Sequence, residues 1–392
     1  MKKEDKPKVE KAEKEEGKGC VVLNKQVEAL LNDKRFKEAH LSAVETIKWV
    51  CGTGSVKLDI FLDGGIRPGY VRIAGEPESG KTRFALNIAR NFQLCKMIPK
   101  PYVFVVNGEG RMRDETLVTA GVDTSSDKFF KLDCNVSEVA FEMIRELINN
   151  NPEKYNYLFI VDSLDSLCRQ EDLDKTFSEA ERVAGGALIN SVLGKKTSLP
   201  LVKFGHCLIA LSQTRANMSG MGYSQANSGP KTSVSGGKAM SFYSSLTIDI
   251  KPLWTELYIF ENPSAKKIED KGKRLGHYCV MNFKKTMNEK TGQNIQLPIR
   301  YGQKADKSIW GAIEFFDLSL EWDLLKFKGA WYTFDPSMKE IYDKHSVDFD
   351  KNCKFQGEEA VKTFLNENEA IVQSGLEKFR AMIQIPELAK VA

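Results

Sequence analysis

The chain has 392 residues, 42% hydrophobic and 28% charged, which excludes a wholly disordered protein and leaves room for one large core plus a smaller unit. A formal net charge of +4 permits a nucleic-acid partner without arguing for a general basic surface. No apolar run approaches the roughly 20 residues of a membrane helix, the N-terminus lacks the apolar centre of a signal peptide, and the eight dispersed cysteines have no C-x-x-C spacing, so the expectation is a cytoplasmic protein without membrane association, zinc or a disulfide framework.

Residues 1–19 are dominated by Lys and Glu and cannot bury enough apolar surface to offset their ordering entropy, which predicts a disordered arm. Gln26 to Leu31 reads as a short amphipathic helix with Val27, Leu30 and Leu31 on one face. Phe36, three residues before Ala39, reads in two ways. It is a plug into a neighbouring subunit, making 20–50 an oligomerisation element, or a residue packing on its own domain.

The core follows from about residue 51. Tyr70–Ala74 alternates like a strand and runs into Gly75-Glu76-Pro77-Glu78-Ser79-Gly80-Lys81-Thr82, of the form G-x-x-x-x-G-K-[ST]. After it, from Arg83, the residues Phe84, Ile88 and Phe92 recur at helical spacing. Strand, glycine loop and helix are the context in which such a loop cradles a polyphosphate. Backbone N–H groups face the anion, and glycines stand where a side chain would collide with it. Lys81 would reach the outer phosphates and the Thr82 hydroxyl would hold Mg²⁺, so ATP with Mg²⁺ is the expected cofactor.

Three further apolar runs, Tyr102–Val106, Leu158–Val161 and Cys207–Leu211, are separated by stretches long enough for helices. That alternation predicts an α/β fold with a mainly parallel sheet. Asn107-Gly108-Glu109, Asp162-Ser163 and Ser212-Gln213 stand just past these runs, which gathers them with the glycine loop at one carboxyl edge. Asp162 suits the carboxylate of a hydrated Mg²⁺, Glu109 suits a group that orients or deprotonates water, and Gln213 suits a γ-phosphate sensor. A single carboxylate at a strand end is as often a helix cap; four polar features at one edge are not.

Ser178-Glu179-Ala180-Glu181 reads as a capping box opening a helix to about Gly194. Residues 214–238 are rich in Gly and Ser without periodicity, too long for an idle connection inside a compact domain. Arg215, Lys231 and Lys238, with the amides of this segment, suit binding of a phosphate backbone without base reading; a plain flexible linker is the alternative. The sheet is then expected to continue antiparallel through Leu246–Ile250, a basic hairpin from Lys266 to Arg274 and His277–Phe283, closing at Gln296–Gly302. Beyond residue 317 comes a smaller unit, 318–392, with Gly329–Phe334 and amphipathic helices near Glu358–Leu365 and Leu376–Ile383. The four histidines are far apart and read as structural.

From Val44 to Ile383 these blocks resemble the RecA-type recombinases, including the UvsX-like enzymes of bacteriophages. The phosphate loop, the Asn107–Glu109 segment, Val161-Asp162-Ser163 and Ser212-Gln213-Thr214-Arg215 match in order. Ser235-Gly236-Gly237-Lys238-Ala239-Met240-Ser241-Phe242-Tyr243 resembles the exit from the family's second DNA-binding loop, with Phe242 near the subunit interface. The resemblance implies a RecA-like P-loop ATPase core, 51–317, with a short N-terminal element and a small α+β C-terminal domain. It implies Glu109, Lys81 and Gln213 as catalytic residues, joined by Lys285 reaching a neighbour's ATP. Gly75 to Arg83, Asp162 and Tyr301, the last against the adenine, would bind nucleotide. Arg215, Lys231, Gly236, Gly237 and Lys238 would bind DNA. Thr116 stands where bacterial members carry a second tyrosine on the adenine, and Met287 replaces a second trans-acting lysine.

The function so implied is an ATP-dependent recombinase that forms helical filaments on single-stranded DNA and pairs it with a homologous duplex. Single-strand-binding and loading-mediator proteins would be partners, and a phage member would act in its host's cytoplasm. A hexameric DNA helicase on the same core, or a filament scaffold that binds ATP without turning it over, are the competing readings.

Overall fold

The computed structural model describes residues 49–174, 185–216, 232–234, 237–251, 255–262, 265, 267 and 269–383. The chain divides into two compact units, Met1–Thr46 and Ile47–Ala392, and the described residues all belong to the second. The charged arm, the Gln26–Leu31 helix, Phe36, the Ser178–Glu181 box, Lys231 and Gly236 therefore lie outside the described residues.

The second unit is built on one mixed sheet. Its strands are β1 (Gly69–Gly75), β2 (Pro101–Asn107), β3 (Phe129–Leu132), β4 (Asn156–Asp162), β5 (Cys207–Ala216), β6 (Thr232–Val234), β7 (Leu246–Ile250), β8 (Tyr258–Phe260), β9 (Arg274–Lys285) and β10 (Asn294–Arg300). The order is β10-β9-β7-β1-β5-β4-β2-β3, with β6 added to β5 and β8 to β9. From β3 to β7 every neighbouring pair is parallel, and the direction reverses only at β9. Leu246–Ile250 is thus the last parallel strand and not the first antiparallel one: it is seated directly against β1, with Val71 opposite Leu246.

Two helical layers cover the sheet, which is why its central strands tolerate no polar face. On one side α2 (Lys81–Leu94) presses Phe84, Ile88 and Phe92 onto Val71, Ile73, Leu158 and Ile160. A short helix before it, α1 (Val56–Phe61), is capped by the Ser55 side chain. On the other side α4 (Ser137–Asn149) and α5 (Gly185–Phe204) bring Phe141, Ile144, Leu193 and Leu201 onto Phe159 and Val161. Between these, α3 (Asp114–Ala120) follows β2. Covered on both faces, β1 is buried along its whole length, so its sequence alternation hides no solvent face; even Arg72 is 1% exposed.

Three local features depart from the sequence reading. The helix expected to stop at Gly194 continues as α5 to Phe204, through Pro200. Gly194 is a packing position, because a Cβ there would stand 2.7 Å from Tyr243 Cδ2 on α6 (Gly237–Tyr243). The segment after Gln213 is not without structure at its start: Thr214–Ala216 extend β5 and pair with β6. The edge strand β3 had no sequence signal, being four residues with only Phe129 buried.

The second core lies beyond β10. Its α7 (Gly311–Glu321) buries Ile313, Phe315, Phe316 and Leu318 against an antiparallel sheet of β11 (Leu325–Lys328), β12 (Trp331–Phe334) and β13 (Lys354–Gln356). Its longer helices are α8 (Glu358–Glu367) and α9 (Glu369–Met382), the latter beginning seven residues before the expected Leu376. Gly375 lets α9 cross the ring of Phe315 closely; a Cβ there would lie 2.2 Å from it. Val56 of α1 joins this cluster, and the Ser55 hydroxyl and Lys57 N–H donate to the buried Glu314 carboxylate of α7. No helix among the described residues is long and apolar enough to cross a membrane.

Candidate nucleotide site

The carboxyl edge of β1, β2, β4 and β5 is where the chain's polar residues converge. After β1 the loop turns back on itself, with the Ser79 N–H donating to the Glu76 carbonyl at 3.3 Å. Gly80 adopts φ 90 in the left-handed region, with open space where a Cβ would stand, and it opens α2 without a side-chain cap on the helix N-terminus. Glu76, Pro77 and Glu78 form the exposed tip, while Ser79 and Lys81 are buried beneath it.

The Lys81 ammonium donates to the carbonyls of Gly75 at 2.9 Å and Glu76 at 2.6 Å, so it stands under the loop and not out in solvent. Burial holds its pKa below the usual lysine value, opposed by the charges of Asp162 and Glu109. The Thr82 hydroxyl donates to Asp162 Oδ2 at 2.7 Å, which ties the first turn of α2 to the end of β4. Burial also raises the Asp162 pKa, and the Glu109 charge adds to this, against the Thr82 hydrogen bond and Lys81. A carboxylate and a hydroxyl side by side, with excess negative charge, are a donor set suited to a hard divalent cation. The fit of the expected phosphate and Mg²⁺ rests on this pair and on the helix N-terminus at Gly80, which no side chain caps.

Glu109 is held by Ser163, to which the sequence reading gave no role, and it lies beside Gln213. Its Oε1 accepts from the Ser163 hydroxyl at 2.8 Å, and Gln213 Nε2 lies 3.5 Å from the same oxygen. Asp165 holds Gln213 from behind, its Oδ2 accepting the Gln213 N–H at 2.6 Å. A hydroxyl and a carboxylate immediately after Asp162 were the available signal for Ser163 and Asp165. Beneath them Arg72 crosses from β1 to Ser212 and Ser241; a lone cation inside an otherwise apolar strand was the signal there.

Lys81, Thr82, Asp162, Glu109 and Gln213 thus meet at one edge. Others among the expected site residues stand elsewhere. The Arg83 side chain donates to the carbonyls of Thr119 and Gln303, committing it to the join between α2, α3 and the turn after β10. Tyr301 lies against His277, ring centres 5.4 Å apart, at the β9–β10 edge. Lys285 donates to the carbonyls of Ser241 and Phe242, capping the C-terminal end of α6. Of the DNA-binding set, Arg215 lies in β5, and Gly237 and Lys238 open α6.

A covered parallel sheet with a glycine loop between its central strand and a helix defines the class: this is a phosphate-loop α/β protein carrying a smaller antiparallel C-terminal sheet. Comparison with known proteins narrows the class. The model of the RecA N-terminal domain matches residues 9–271, more than half of the chain. Protein RecA of Campylobacter fetus subsp. fetus (strain 82-40) is 23% identical over 350 residues, covering 88% of this chain and 87% of its own. Protein RecA of Oleidesulfovibrio alaskensis is 26% identical over 338 residues, covering 84% and 82%. The chain belongs to the RecA-type recombinase family.

Proposed function

We propose that the protein is a DNA-dependent ATPase that assembles as a helical filament on single-stranded DNA, pairs that strand with a homologous duplex and promotes strand exchange. The observation that carries this reading is the position of Gln213. Its side chain is at Glu109 in the candidate nucleotide site, while its own strand runs without a break into the β5–β6 ribbon and the glycine-rich segment. One residue therefore touches both the hydrolytic group and the backbone leading to the expected DNA contacts.

Bound ATP with Mg²⁺ would supply the transferable phosphoryl group and the cation that balances its charge. Thr82 and Asp162 would hold the hydrated cation, and the loop amides with Lys81 would stabilise charge on the phosphoryl oxygens. Glu109 accepts a proton from the attacking water, with the Ser163 hydroxyl fixing its carboxylate. Gln213 reports on the same position. Arg215, Gly237 and Lys238 contact the DNA backbone together with Lys231 and Gly236, Tyr301 lies against the adenine, and Lys285 reaches a neighbour's ATP in the filament. Single-strand-binding and loading proteins are the expected helpers in the cytoplasm.

Electron microscopy with single-stranded DNA and a non-hydrolysed ATP analogue tests the assembly. Open helical filaments support the reading; closed rings or dispersed monomers overturn it, and rings that unwind a forked duplex identify a helicase instead. In parallel, strand exchange and ATP hydrolysis are measured for the wild type and Glu109→Gln. Exchange that survives with hydrolysis abolished identifies a scaffold rather than an ATPase-driven enzyme.

A further inference from the structure

Arg72 is among the largest fully buried side chains of the molecule, and it stands in the strand that leads into the phosphate loop. A buried guanidinium keeps its proton and is costly to bury unless its donors and its charge are answered. Two serines on different elements accept from it: Ser212 Oγ from Nε at 3.4 Å and Ser241 Oγ from Nη1 at 3.0 Å. Its charge faces Asp165 and Asp249. Asp249 comes from β7, and Asp165 is the carboxylate that holds the Gln213 N–H. Ser212 is Gln213's neighbour on β5. Ser241 is the neighbour of Phe242, which is 75% exposed at the end of α6, and the carbonyls of both are gripped by Lys285.

We propose that Arg72 is a positioning residue that couples the end of β5, at the candidate γ-phosphate sensor, to α6 and its exposed Phe242. The planar fork is what makes the coupling directional. A guanidinium holds two acceptors at fixed angles, so a shift of Ser212 along β5 cannot be absorbed without moving Ser241 or breaking a hydrogen bond. Lysine could satisfy the charge but not both angles. An arginine filling space would have needed neither serine, and its aliphatic stem would pack equally well against alanine at both positions. This inference rests on the proposed nucleotide reading of the site and extends it to a path by which that site governs a surface.

Hydrogen exchange read by mass spectrometry, in the full chain with and without a non-hydrolysed ATP analogue and Mg²⁺, tests it in the absence of DNA. In the wild type the analogue is expected to slow exchange in the first turn of α2 and, about tenfold, in α6. Ser241→Ala removes one hydrogen bond at a half-buried site and leaves the phosphate loop intact. It is expected to keep the α2 response and to cut the α6 response to under about threefold. Arg72→Lys is expected to do the same, with the α2 response again showing that the fold survives. Full α6 protection in Ser241→Ala overturns the coupling while leaving the nucleotide reading in place. A wild type whose α2 shows no response overturns both.

Discussion

At the candidate nucleotide edge of the core, Thr82, Glu109, Asp165 and Arg72 are held by hydrogen bonds between segments that are far apart in sequence, and Lys81 by the carbonyls of its own loop. In the C-terminal module the same task falls to rings: Phe334 meets Phe315, Tyr342 and Phe355, and Phe379 meets Phe315 and Trp322. The polar edge is accurate but contributes little net stability, because each hydrogen bond replaces one to water. The aromatic cluster removes large apolar areas from water and offers few groups for chemistry. Placing them in separate cores lets the site keep buried charges whose cost is met elsewhere.

That division can be broken at either end. Phe334→Ala, in the centre of the aromatic cluster at 2% exposure, is expected to lose about 3–5 kcal/mol in denaturant unfolding. Nucleotide affinity in the protein that remains folded should stay unchanged; a loss of affinity of the same size would mean that the two cores are not separable. Lys81→Ala is the mirror experiment. ATP hydrolysis should fall by about 10²–10³, with a melting temperature close to that of the wild type.

The seam between the cores supplies a pH signature. Burial pushes the Asp59 carboxyl up to about 7, while Asp59 Oδ1 accepts from the Thr53 N–H at 2.7 Å and the Thr53 hydroxyl at 2.8 Å. Its folded value lies above the ordinary 3.8, so the stability it supports is complete below pH 4 and is lost as pH rises toward 7. Wild type should therefore lose roughly 1–4 kcal/mol at this position over that window. Asp59→Asn keeps the oxygen acceptor and should flatten the dependence. Superimposable melting-temperature profiles for the two proteins would show that Asp59 ionises freely.

The smallest effect is expected at the rim of the same seam. Lys307 and Glu369 pair at 2.8 Å with both side chains more than half exposed. Glu369→Ala should cost about 0.5 kcal/mol or less, and high salt should erase the difference. A larger loss would mean that the module is held to the core by surface charge rather than by Val56, Ser55 and Glu314.

The sequence disclosed the parallel part of the sheet and four of its strand ends, because covered parallel strands are written as apolar runs and chemistry follows at their ends. It did not disclose the direction of β7, since the alternation Leu246-Thr247-Ile248-Asp249-Ile250 reads the same either way. Gly194 misled because a glycine that ends a helix and one that admits a neighbouring ring look alike before the neighbour is known. The convergence of Lys81, Thr82, Glu109, Asp162 and Gln213 at one candidate site was legible as a set of positions, but not as a network. Ser163, Asp165, Ser212 and Ser241 act through partners dozens of residues away, and no local pattern marks a serine that will face a buried arginine. Lys285, Arg83 and Tyr301 make local contacts away from that cluster.

The place of β1 in the sheet also sets an order in time. Among the described residues it is the first strand of the sheet in chain order, yet its partners are β5 and β7, with Gly69 opposite Cys207 and Val71 opposite Leu246. Closing such long loops is slow, because the entropy is lost before the contacts form. A nascent chain that has reached Thr82 therefore already carries the whole phosphate loop but has no floor for it to rest on. The loop acquires its geometry only once the residues that follow the glycine-rich segment have emerged and docked, so a truncated product ending before Leu246 should display the motif and bind nothing.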